Sequence, residues 1–352
     1  MGERIPERSD GYLVIIFVLT GCAGEKWKER KVKAVILEGS SVNPGDISWE
    51  PVTGLCDTVV YENTLDAEKW ERIGDCEIVI INKVHMTKEV FERFPRIRYV
   101  GVCATGYNVV DVDAAREHGV VVTNIPAYST ESVMQFTWAY ILGLASRIQL
   151  HNESVKNGDW IRSTNFCYWK ESPTELAGKT LGVYGYGNIG RKVARAAEVF
   201  GMKALVHTLH PEKYADDQND NLRFVTQDQL FENSDVITIH CPLTPATTGI
   251  INGESISGMK DGVIIVNLSR GPVVNETDLA EALRSGKVAA FGADVISEEP
   301  MNADNPLCTA PNCYLTPHIA WATREARERL VDIAAANLKA FLEGKPINVV
   351  SG

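Results

Sequence analysis

An arginine, a carboxylate and an imidazole each follow an apolar run in the second half of the chain. Arg270 comes after the run 262–267, Glu299 after 289–295 and His318 after 313–316. Arg270 presents a planar fork that can grip a carboxylate through two parallel N–H bonds and polarise an adjacent carbonyl. His318 can give or take a hydroxyl proton near neutral pH. Glu299 can keep an imidazole oriented and stabilise positive charge on it. Taken singly, each is an ordinary surface or packing residue. Their weight comes from shared position: if the runs are strands of one parallel sheet, all three residues lie on the carboxyl rim, where such sheets bind ligands.

The element that organises this rim is residues 179–208. Residues 180–184 form a short apolar run, and Gly185, Gly187 and Gly190 follow in the order G-x-G-x-x-G. Ile189, Val193, Ala197 and Phe200 then recur at helical spacing, Gly201 stops the helix, and 204–206 starts a second strand. Strand, glycine turn, helix and strand within about thirty residues are the setting a dinucleotide fingerprint requires. Gly185 permits the tight turn, Gly187 lets a pyrophosphate approach the backbone, and Gly190 lets the helix pack close to the strand. Asn188 and Ile189 open the helix, whose free N–H groups and positive dipole end suit an anion.

Apolar runs at 31–38, 58–61, 77–82, 98–103 and 120–123 alternate with helical segments at 67–73, 88–94 and 112–118. This predicts an earlier α/β unit with a parallel sheet but no phosphate loop of its own. A long helix is expected from Ser129 to about residue 148, apolar nearly all round and therefore buried, between domains or between subunits. Residues 152–173 read as a polar loop bearing Trp160, Phe166, Tyr168 and Trp169; it either packs on its own domain or clasps a second subunit. Another long amphipathic helix is expected over 322–342.

At 352 residues the chain has room for two domains. The net charge of −11 argues against nucleic acid or an anionic membrane as partner. Eight scattered cysteines without a C-x-x-C pair read as free thiols in a reducing compartment. His207 and His210 lack a third ligand, so no metal is expected. No G-x-S-x-G elbow supplies a hydrolase nucleophile. Residues 1–30 read as an extension, expected to be poorly ordered. Its apolar stretch 12–19 is too short to span a bilayer. Leu19–Cys22 is similar to a lipoprotein cleavage box, but the acidic residues before it do not suit a signal peptide. A cytoplasmic protein is expected.

Taken together, Gly185-x-Gly187-x-x-Gly190, Asn267-x-x-Arg270-Gly271, Asp294-Val-x-x-x-Glu299-Pro300 and Thr316-Pro-His318 resemble the D-isomer-specific 2-hydroxyacid dehydrogenases. The resemblance covers about residues 31–350. Ala104-Thr105-Gly106-Tyr107-Asn108 is similar to that family's loop for a substrate carboxylate. The stretch 317–322 resembles its glycerate dehydrogenase, or hydroxypyruvate reductase, branch. The resemblance implies two doubly wound parallel-sheet domains. A Rossmann nucleotide domain, 128–318, would be inserted into a flavodoxin-like substrate domain made of 31–127 and 319–352. It implies Arg270, Glu299 and His318 as catalytic residues, and Thr105, Gly106 and Arg270 as substrate-binding. Asp294 would hold the nicotinamide amide, and Cys241 and Pro242 would line the adenosine side. It further implies a homodimer formed through the nucleotide domains.

The chain departs from the pattern of the family's NAD-using members at Thr208, where an acid would meet the ribose hydroxyls. Without that carboxylate a 2′-phosphate is not repelled, so NAD(H) is favoured and NADP(H) is possible. The expected reaction is reduction of a small 2-oxo acid, hydroxypyruvate or glyoxylate first. The alternatives are another 2-oxo acid and an NAD-sensing, corepressor-like binding protein on the same fold. Formate dehydrogenases resemble the same pattern but would need Gln in place of Glu299.

Overall fold

The computed structural model describes residues 32–352, so the readings of residues 1–30, including the Leu19–Cys22 stretch, lie outside the described residues. Two parallel sheets carry the architecture. The first has strands β1 (Lys33–Ile36), β2 (Asp57–Val60), β3 (Ile78–Ile81), β4 (Tyr99–Val102) and β5 (Val121–Thr123), in the order β2-β1-β3-β4-β5. The second has β6 (Thr180–Tyr184), β7 (Lys203–His207), β8 (Leu222–Phe224), β9 (Val236–Ile239), β10 (Val263–Asn267), β11 (Val288–Ala293) and β12 (Cys313–Leu315). Its order is β12-β11-β10-β9-β6-β7-β8. Both orders are doubly wound, the first of the flavodoxin type and the second of the Rossmann type with one added edge strand.

The central strands explain why the chain folds this way. β3 is Ile-Val-Ile-Ile and β10 is Val-Ile-Ile-Val-Asn, and every residue in both is buried. Continuous β-branched runs suit a strand covered by helices on both faces. At the edge of the first sheet, β2 is largely exposed.

Four helices matter for the site: α1 (Thr130–Ser146), α2 (Asn188–Ala196), α3 (Glu276–Ser285) and α4 (Arg324–Leu342). α4 follows the second sheet in sequence yet packs on the first, against β4 and the short helix Glu50–Thr53. Its Leu330, Val331 and Leu338 are buried with Ile36 and Tyr99. Arg327 forks onto Asp46, with Nη1 and Nη2 each 2.6 Å from a carboxylate oxygen. The backbone N–H of Val350 then donates to Val122 of β5 at 2.8 Å.

Three details differ from the sequence reading. The long helix stops at Ser146, because Arg147 turns left-handed at φ 53°. A second helix, Ile148–Lys156, occupies the start of the segment read as a loop. It is mostly polar and buries only Ser154, so no buried apolar stripe announces it. β8 and the helices Gln227–Asn233 and Gly253–Gly258 also went unread, although both helices have capping boxes, Thr226 with Gln229 and Asn252 with Ser255.

Candidate active site

The second sheet reverses its direction of growth at β6, which pairs with β7 on one side and β9 on the other. The crevice at the carboxyl ends of β6 and β9 is therefore a topological switch point. Gly185 turns there at φ 101°. A Cβ on it would sit 2.7 Å from both the carbonyl carbon of His240 and the nitrogen of Cys241. Gly190 is tighter still: its Cβ would fall 2.0 Å from the Gly185 carbonyl oxygen.

Gly187 behaves in the opposite way. No protein atom lies within 4 Å of the position its Cβ would take. It is the N-cap of α2, and no side chain caps that helix start. An open, uncapped helix N-terminus with Asn188 and Ile189 in its first turn fits an anionic pyrophosphate. Thr208 directly follows β7, whose last residue, His207, accepts from the Gly185 N–H at 2.9 Å. The open space at Gly187 and the hydroxyl side chain at Thr208 fit a dinucleotide in this crevice. Cys241 is buried, which pushes its thiol up to about 11, and the Pro242 carbonyl accepts from the Thr247 hydroxyl at 2.7 Å.

The other rim residues stand on the neighbouring strand ends. After β10, the Asn267 side chain bonds the Arg270 carbonyl and the Ser269 N–H at 2.9 and 3.0 Å, which fixes the turn that presents Arg270. Gly271 abuts the next turn, for its Cβ would overlap the Ile296 carbonyl group. After β11, Glu299 takes the Ile296 N–H on one oxygen at 3.3 Å and meets His318 Nδ1 on the other at 2.6 Å. Burial alone would raise the Glu299 carboxyl, but the hydrogen bond and charge of His318 outweigh it and hold it below the ordinary glutamate range. His318 is left-handed at φ 55°. The Trp321 indole donates to its carbonyl at 2.8 Å.

The 104–106 loop reaches this rim from the first sheet. Its geometry is set from below: the Thr105 hydroxyl donates to the Ile125 carbonyl and the Asn124 amide to the Thr105 carbonyl, both at 2.8 Å. With its hydroxyl so engaged, Thr105 offers a ligand its backbone N–H. A Cβ on Gly106 would stand 3.0 Å from Arg270 Nη2, so the loop and the guanidinium are neighbours. Backbone N–H groups and a guanidinium side by side can bind one carboxylate.

Asp294, at 2% exposure, is turned toward its own chain. Oδ1 accepts from the Thr316 hydroxyl at 2.6 Å and the Ile319 N–H at 2.8 Å, and Oδ2 accepts from the Ala320 N–H at 2.8 Å. Burial raises its carboxyl above the ordinary range despite these donors. Behind Thr316 stands Tyr140 of α1, which the sequence reading passed over because a tyrosine in an apolar helix reads as core. His207 Nδ1 lies 3.2 Å from the Val225 carbonyl oxygen and His210 Nδ1 3.2 Å from Glu212 Oε1.

Residues 138–320 match the model of the D-isomer specific 2-hydroxyacid dehydrogenase, NAD binding domain. The chain is 49% identical to a hydroxypyruvate reductase of Blautia hydrogenotrophica, over 91% of this chain and 100% of that protein. It is 39% identical to a glycerate dehydrogenase of Methylorubrum extorquens, over 82% of this chain and 90% of the relative. Among solved structures, a D-lactate dehydrogenase of Aquifex aeolicus complexed with NAD and lactic acid superposes with a TM-score of 0.78. It is 30% identical over 91% of this chain and 99% of its own. On these grounds the chain belongs to the D-isomer-specific 2-hydroxyacid dehydrogenases and is an oxidoreductase of that family.

Proposed function

We propose that this enzyme reduces hydroxypyruvate to D-glycerate, and glyoxylate to glycolate, with NADH favoured and NADPH accepted. The single observation that carries this reading is the Glu299–His318 pair at 2.6 Å, on the same rim as the Arg270 guanidinium that adjoins Gly106. In this reading Arg270 and the N–H groups of Thr105 and Gly106 hold the substrate carboxylate. The guanidinium also draws electron density from the neighbouring carbonyl oxygen. With Nδ1 engaged by Glu299, His318 presents Nε2 as the atom that gives its proton to that oxygen. The nicotinamide, when bound, supplies the hydride. The open cradle at Gly187, with Asn188, Ile189, Thr208, Cys241 and Pro242 around it, would hold the dinucleotide.

The same reading divides the chain into a substrate domain, 31–127 with 319–352, and a nucleotide domain, 128–318. Ala127 and His318, both left-handed at φ 58° and 55°, stand at the two crossings. A homodimer formed through the nucleotide domains is supported by apolar side chains left bare on the segment after α1. Ile161, Phe166 and Trp169 are 88%, 89% and 64% exposed. The free thiols among the described cysteines and the need for nicotinamide support the cytoplasm as location. No helix of the described residues is long and apolar enough to cross a membrane.

The experiment is a panel of 2-oxo acids tested for turnover with NADH and with NADPH. The expected result is the highest kcat/KM for hydroxypyruvate, glyoxylate next, and a modest preference for NADH. NADH bound but not consumed with any oxo acid would overturn the enzymatic reading in favour of an NAD-sensing protein.

A further inference from the structure

His318 sits in a segment that is gripped from behind. Thr316, Ile319 and Ala320 all donate to Asp294. α1 grips the same segment at two more points, two helical turns apart. The Ser132 hydroxyl donates to the Ala320 carbonyl, and the Tyr140 hydroxyl lies 2.8 Å from Thr316 Oγ1. The same Tyr140 hydroxyl donates at 2.9 Å to the carbonyl of Ala293, the last residue of β11 before Asp294. Thr316 gives its one hydroxyl proton to the Asp294 carboxylate, so Tyr140 shares its own single proton between the Ala293 carbonyl and Thr316 Oγ1 as a three-centre bond. Burial pushes its phenol up to about 12, which keeps that proton in place throughout the working pH range. The ring is seated with little freedom: a Cβ on Gly292 would come within 2.4 Å of Tyr140 Cδ1.

We propose that Tyr140 is a positioning residue for proton delivery. Through Thr316 and Asp294 its hydroxyl fixes the backbone of 316–320, and with it the direction in which His318 presents Nε2. This rests on the proposed role of His318 as the acid. The chain of hydrogen bonds joins α1 to the rim, so any shift of α1 against the second sheet reaches the imidazole. Glu299 orients the ring from one side, and the tyrosine chain fixes the backbone that carries it.

Tyr140→Phe keeps the ring on Gly292 and removes only the donor. The expected result with hydroxypyruvate is a kcat lower by roughly tenfold, as small misplacements of a reacting group are felt strongly. KM and the NADH dissociation constant should stay at wild-type values. The solvent deuterium isotope effect on kcat should rise, because proton transfer becomes more rate-limiting. Thr316→Val should reproduce the loss and Thr316→Ser should restore most of it. The Tyr140→Phe/Thr316→Val double variant should be no slower than the worse single one, since both interrupt one chain. Wild-type kcat in Tyr140→Phe, an equal loss of NADH affinity, or additive losses in the double variant would each overturn the proposal. His318→Gln, measured alongside, separates the two ideas. If it is inactive while Tyr140→Phe is unimpaired, only the positioning role fails; if it is fully active, the role of His318 fails first.

Discussion

The two sheets are built on the same plan, yet their carboxyl rims treat backbone N–H groups in opposite ways. At the rim of the first sheet, Glu38 follows β1 and its Oε2 accepts from the N–H groups of Asn82, Lys83 and Val84, at 2.9, 2.7 and 2.8 Å. That nest of donors already has an anion, supplied by the chain itself. At the rim of the second sheet, the N-terminus of α2 has no side-chain cap and Gly187 opens onto free space. A doubly wound sheet thus makes anion sites readily, and what decides whether one is available is whether the sequence fills it. Here the filled rim shapes a loop and the open one can receive a ligand.

The sharpest way to break this contrast is at the glycine turn. Gly190→Ala places a Cβ against the Gly185 carbonyl, so it should lose NADH binding together with thermal stability. The Cβ of Gly187→Val meets no protein atom within 4 Å, so this variant should lose far less thermal stability than Gly190→Ala and still lose NADH binding. Fluorescence titration with NADH beside a thermal melt separates the two. If Gly187→Val binds NADH normally, the cradle is elsewhere.

The next effect concerns the pair on the open rim. Glu299 is held below the ordinary carboxylate value of about 4.3, so its charge persists above that value and is lost as pH falls through the lower, folded one. Glu299→Gln removes the counter-charge at Nδ1. Reduction should then slow by roughly 10- to 100-fold, less than removal of the whole general acid would cost, and its alkaline decline should begin at lower pH. The check is kcat/KM for hydroxypyruvate across pH; an unmoved alkaline limb would detach Glu299 from the proton donor.

On the filled rim, Glu38→Ala leaves three N–H groups without their acceptor. Stability should fall by roughly 1–3 kcal/mol, read by urea denaturation, while the NADH dissociation constant stays unchanged. A weakened NADH affinity would mean that the two rims are not independent.

How much of this was legible in the sequence follows the same division. The strands of both sheets announce themselves because doubly covered strands are continuous apolar runs, as in β3 and β10. Arg270, Glu299 and His318 stand out because they follow such runs directly. The short edge strand β8 and the polar helix Ile148–Lys156 do not, since neither buries enough to impose a pattern. The Tyr140–Thr316–Asp294 chain was illegible for another reason: Thr316 and Ala293, the neighbour of Asp294, lie 176 and 153 residues from the tyrosine along the chain, and the packing of α1 on β10 and β11 brings them together. Glu38 closing on 82–84 is of the same kind.

The smallest expected effect sharpens the open rim further. Thr208→Asp puts a carboxylate just beyond β7, where it can accept from ribose hydroxyls and repel a 2′-phosphate. The NADH/NADPH ratio of kcat/KM should rise. An unchanged ratio would place the ribose away from Thr208.

The central claim is that His318, held by Glu299, delivers the proton. The most direct test is His318→Ala in single turnover, with enzyme-bound NADH mixed with hydroxypyruvate and the loss of nicotinamide absorbance followed. NADH affinity should stay at the wild-type value and the hydride-transfer rate should fall by about 10²- to 10⁴-fold, the range removed with a general acid. A rate equal to wild type would contradict it.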